Sequence, residues 1–66
     1  MTIFKLNDKV LINKPGDHFH KRKGKIVAIK YEREHIIATI TIKLSRFGLL
    51  VEELPQFIKH KKGLFG

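Results

Sequence analysis

Between Ile36 and Leu44 the chain alternates with a period of two: Ile36, Ala38, Ile40, Ile42 and Leu44 fall on one face, Ile37, Thr39, Thr41 and Lys43 on the other. A helix would scatter these apolar residues around its circumference, and the run of isoleucine and threonine disfavours helix, so the pattern predicts a strand. A shorter alternation, Lys9-Val10-Leu11-Ile12, predicts a first strand. Pro15-Gly16 and the basic cluster His20-Lys21-Arg22-Lys23 then form a loop leading to Gly24, which opens a second strand over Lys23 to Tyr31. That strand is expected to pair antiparallel with Ile36 to Leu44. The connection Glu32-Arg33-Glu34-His35 holds no Asn-Gly or Gly-Gly pair, which predicts a four-residue loop on a type I turn.

Past Leu44, Ser45-Arg46-Phe47-Gly48 reads as a turn with Gly48 at positive φ, and Leu49 to Glu52 as a fourth strand. Pro55 lacks an N–H and restricts Leu54, so Glu53 to Gln56 is expected to make a short 3₁₀ turn before a last strand at Phe57 to Lys59. Five short strands and no periodic helix predict an all-β domain over residues 1–58, closed into a small barrel to protect its edges. Residues 59–66, with two glycines and no alternation, read as a flexible basic tail. Inward positions are expected at Val10, Ile12, Ile26, Ala28, Ile29, Ile36, Ala38, Ile40, Ile42, Leu49, Val51, Leu54 and Phe57. A chain of 66 residues supports one core of marginal stability.

Charge adds the first functional clue. Lysine and arginine total 14 against 6 acids, a net charge of +8, and the excess is uneven: residues 1–30 carry eight basic and two acidic side chains, residues 31–58 three and four, residues 59–66 three and none. Such an imbalance attracts polyanions: nucleic acid, an anionic surface or an acidic protein. There is no cysteine, hence no disulfide and no thiolate chemistry, which fits a reducing cytoplasm. No apolar run reaches the roughly 18 residues of a membrane span, and the first residues lack the apolar core and cleavage site of a signal peptide.

The order Asn7-Asp8-Lys9-Val10-Leu11-Ile12, then a loop, then Gly24-Lys25-Ile26-Val27-Ala28-Ile29, the strand Ile36 to Leu44, and the closing Leu49-Leu50-Val51-Glu52-Glu53-Leu54 resembles the KOW-type SH3-like barrel across residues 7–58. The resemblance implies a five-stranded barrel in which Gly24 begins the second strand and Ile26 and Ile29 fill the interior. It also implies that the loop before Gly24 meets RNA or protein. Lys21 stands where such motifs usually carry a further glycine, and the loop from Lys14 to Lys23 is long. That loop length and Pro15 also resemble the SH3-like accessory subunit of photosystem I, a docking protein without catalytic chemistry. Fold carries over from such resemblances better than function.

The loop is the first candidate site. Lys21, Arg22, Lys23 and Lys25, backed by His18 and His20, set cations against phosphates, with Phe19 available to stack on a base. The competing reading makes the lysines protectors of a strand edge and Phe19 a lid on the barrel. Four cations within five positions exceed what edge protection needs, which favours binding. Arg33, Arg46, Lys59, Lys61 and Lys62 are further members of the same surface. Four histidines without cysteine or matched spacing do not make a metal site, and no nucleophile, base and orienting group come together, so no cofactor, metal or catalytic residue is expected. The sequence therefore points to a small non-enzymatic binding module whose partner is nucleic acid, RNA or DNA, contacted through its phosphates. The alternative is docking on an acidic surface of a larger assembly, whether transcriptional, ribosomal, phage-host or photosynthetic.

Overall fold

A computed structural model describes residues 4–45 and 48–61; Arg46, Lys62 and the remainder of the expected tail lie outside the described residues. Five strands follow in order: β1 (Lys9–Ile12), β2 (Lys23–Arg33), β3 (Ile36–Leu44), β4 (Leu50–Glu53) and β5 (Ile58–His60), with a 3₁₀ turn at Pro55–Phe57 before β5. All neighbours are antiparallel, in the order β4-β3-β2-β1-β5. A lone sheet has no second layer against which to bury its apolar face, so it folds on itself as a small SH3-like barrel. The core draws on almost every strand: Val10 and Ile12 from β1, Ile26 from β2, Ile40, Ile42 and Leu44 from β3, Ile58 from β5, with Phe4 closing one end.

Bulges decide which residues reach that core. Along the β2–β3 pair, Ile26 opposes Ile42 but Ala28 opposes Thr41, leaving Val27 as an extra residue on β2; further shifts fall between Lys30 and Tyr31 and between Tyr31 and Arg33. Each extra residue reverses the inward face of the strand beyond it. Ile26 and Ile29, three apart, therefore both point inward, while Ala28 is exposed rather than buried. On β3 the expected alternation holds for Ile40, Ile42 and Leu44, but Ile37 packs on the core and Ile36 is 49% exposed. Leu49 and Leu54 also lie outside the core, at 47% each, and Ala38 and Phe57 are half-buried. Phe4 and Ile58 take the interior places that alternation had given to others.

Several boundaries differ from expectation. Arg33 pairs with Ile36, so the β2–β3 connection is the two-residue turn Glu34-His35 rather than a four-residue loop. Neither residue takes positive φ, and the shift at Tyr31/Arg33 absorbs the strand splay that an unprimed two-residue turn imposes. The fourth strand begins at Leu50 and ends at Glu53, and the 3₁₀ turn includes Phe57. The last strand extends to His60, so Lys59 and His60 belong to the sheet, and the Lys61 N–H still donates to the Lys9 carbonyl at 3.0 Å.

The β1–β2 loop is compact. Pro15-Gly16 forms a turn with Gly16 at φ 87, closed by the Asp17 N–H on the Lys14 carbonyl at 3.0 Å. Asp17 Oδ2 accepts the Phe19 N–H at 2.9 Å, and His20 Nδ1 accepts the Lys14 N–H at 3.0 Å. Where the loop rejoins the sheet, Ile12 faces two residues: it donates to the Arg22 carbonyl at 3.0 Å and accepts from the Lys21 N–H at 2.8 Å. Such a bulge calls for a left-handed residue, and Lys21 sits there at φ 66. A side chain in this region costs roughly 1–2 kcal/mol, partly offset by the greater unfolded-state entropy of glycine. Lys21→Gly is accordingly expected to raise the thermal midpoint by about 2–6 °C in a calorimetric scan. An unchanged or lower midpoint would contradict the strain assigned to Lys21.

Candidate anion-binding groove

Alternation puts Lys9, Lys25 and Lys43 on the outward face of β1, β2 and β3, and register brings them into line. Lys9 opposes Lys25 and Lys25 opposes Lys43, while Lys61 extends the row beside Lys9. With strands about 4.8 Å apart, the four span roughly 14 Å straight across the sheet. Lys23, two residues before Lys25, adds a fifth. These five lysines, with Gly24, Leu44, Ser45 and Gly48, line an open groove of about 400 Å³.

Gly24, buried between Lys23 and Lys25, lets β2 and β3 pack closely beneath the row. A Cβ there would collide with the Ile42 methyl group and come within 2.8 Å of the Lys43 carbonyl oxygen, so any side chain would push β2 off β3. At the rim, Ser45 Oγ donates to the Lys23 carbonyl at 3.3 Å.

None of the protein's six carboxylates lines this groove. Glu53, 8% exposed, pairs with Lys14 Nζ at 3.4 Å, and Asp17 lies 3.8 Å from the same amine. Lys14 also sits 5.0 Å above the Phe57 ring, so this cation ties the loop to the 3₁₀ turn rather than serving a ligand. Glu34 lies beside His35 at the hairpin tip. On the far side of β1, Asp8 Oδ2 accepts the Lys5 backbone N–H at 2.9 Å and lies 3.1 Å from His60 Nε2, whose ring packs 4.9 Å from Phe4.

The Lys5 N–H holds the Asp8 carboxyl below its ordinary value; burial opposes this, and His60 adds to the lowering. A depressed carboxyl stabilises the fold above its unfolded value, and that contribution fades as pH falls through the lower folded value. Asp8→Asn is therefore expected to melt below the parent at neutral pH, with the gap narrowing below about pH 4. Melts at neutral and acid pH check this; a gap constant with pH would show the Asp8 charge to be idle.

The candidates from sequence divide. Lys23, Lys25 and Lys61 meet in the groove, and Lys59 lies on β5, two residues from Lys61 and paired with Leu11. Lys21 and Arg22 do not line it. Phe19 is half-buried against the core, with the exposed His18 ring edge-on at 5.1 Å, and His20 is engaged in bracing the loop. Arg33 ends β2 eight residues beyond Lys25, about 26 Å away along an extended strand. Among the described residues no three histidine, aspartate or glutamate side chains converge as a metal would need, and no helix is long and apolar enough to cross a membrane. Lys9 and Lys43 went unnoticed in the sequence, because each is an isolated lysine in its own strand; only pairing makes them neighbours of Lys25. Comparisons with protein-family models, curated proteins and solved structures found no match for this chain.

Proposed function

We propose that this protein binds nucleic acid through its phosphate backbone, using the lysine row across β1, β2 and β3 with Lys61 just past β5. The supporting observation is that Lys9, Lys25 and Lys43 oppose one another on the three central strands. Like charges directly opposite across a ladder are destabilising, and edge protection cannot explain them, because none of these three strands is an edge. A polyanion lying over the row converts that repulsion into attraction and releases its condensed counterions. Among the described residues no aromatic side chain lines the groove, so their contact with the backbone should be indifferent to base sequence.

Fluorescence anisotropy with labelled oligonucleotides of unrelated sequence tests the reading. Binding should be comparable across sequences and fall steeply as salt is raised. Failure to bind at about 50 mM salt would sink the proposal and turn attention to an acidic protein surface.

A further inference from the structure

We infer that the groove over Gly24 takes a compact oligophosphate, two or three phosphoryl groups joined through shared oxygens, as its tightest ligand. This deepens the phosphate reading and rests on the groove being the phosphate site. The first argument is charge density. Five lysines line a groove of about 400 Å³ with no carboxylate among the lining residues. A backbone phosphodiester brings one charge per nucleotide, so matching five lysines would take about five nucleotides, more than a groove of small-ligand size encloses. A triphosphate concentrates about four negative charges in one group.

The second argument is shape and chemistry. Lys23 and Lys25 flank the buried Gly24 on β2, and Lys9 and Lys43 stand opposite Lys25 on the adjoining strands, so a compact anion lying across the row meets cations from three strands. The five cations among the described lining residues are lysines, point charges on jointed stems that adapt to tetrahedral phosphates. Among the described residues nothing aromatic lines the walls, so those residues recognise the phosphate chain and not an attached base. The same chemistry is carried by a free polyphosphate, a nucleoside triphosphate and the 5′-triphosphate end of an RNA.

Isothermal titration of the full chain at about 0.1 M salt, where exposed charges are screened beyond about 10 Å, decides the matter. Affinity should rise from orthophosphate through pyrophosphate to tripolyphosphate by at least about tenfold at matched ionic strength, with ATP and GTP binding alike. Lys25→Gln should weaken tripolyphosphate by about tenfold, and Lys21→Gly should leave it unchanged. An RNA bearing a 5′-triphosphate should outcompete the same RNA with a 5′-hydroxyl, which separates the RNA end from the free anion as source.

Equal affinity for sulfate and tripolyphosphate at equal ionic strength would overturn the inference, as would undiminished binding by Lys25→Gln. If the hydroxyl-ended RNA binds and tripolyphosphate neither binds nor displaces it, the inference fails and the backbone reading stands. If tripolyphosphate binds and that RNA does not, the inference holds and the backbone reading fails.

Discussion

Ile40→Lys is expected to leave the chain unfolded at room temperature, while Thr41→Lys melts within about 3 °C of the parent. The two positions are adjacent in β3 and differ only in the face they occupy. Ile40 is fully buried among core residues of β1, β2 and β3. An ammonium there loses its hydration, the buried carboxylate opposite it on β4, Glu53, is already paired with Lys14, and the isoleucine packing is lost as well, a penalty of about 3–5 kcal/mol or more. A core of this size rarely supplies more than about 3–5 kcal/mol in total, so the penalty wins. Thr41 is half-exposed, opposite Ala28 on one side and Glu52 on the other, where a lysine extends into water near an opposite charge. Circular dichroism melts of both variants check the pair, and similar melts would refute the register of β3.

Neutralising Lys9, Lys25 and Lys43 together should cripple nucleic-acid binding and make the protein more stable, not less. Three phosphate contacts at about 0.9 each would flatten the logarithmic salt slope on duplex DNA by about 2.7. Lys25 stands between two like charges, so Lys25→Gln alone should raise the melting midpoint by about 2–5 °C at low salt, and the gain should vanish as salt screens the row. Opposite signs in stability and binding separate a residue kept for a ligand from one kept for the fold. Lys21→Gly is the matched control, since it removes a cation outside the groove and should leave the salt slope as it was. A triple variant that binds with the parent's slope would assign the contact elsewhere on the surface.

Much of the fold was legible because small β domains write their burial pattern directly into the chain. The bounds of β1 and β3 follow from alternation, Gly48 takes the positive φ that its turn implied, and Pro55 opens the 3₁₀ turn. Lys21 occupies a left-handed bulge at a cost that the alternation along the chain did not announce. Less of the site was legible. Clustering along the chain pointed to the loop, yet Phe19 turns inward and His20 braces its own backbone, because a long loop over a small core must satisfy its polar groups and cover apolar surface first.

The sequence by itself determined the element types, the single core and the lopsided charge, since each depends on residues near one another along the chain. Alignment of the lysines is a different kind of fact. A four-residue loop at Glu32 to His35 without bulges would set Lys25 opposite Ile42, whereas the two-residue turn and the shifts near Val27, Ala38 and Glu32 set it opposite Lys43. A bulge displaces every rung beyond it by one residue and is chosen by packing across the whole barrel, not by local propensity. Only the tertiary structure could therefore decide that lysines from three strands and Lys61, just past β5, share one groove at Gly24.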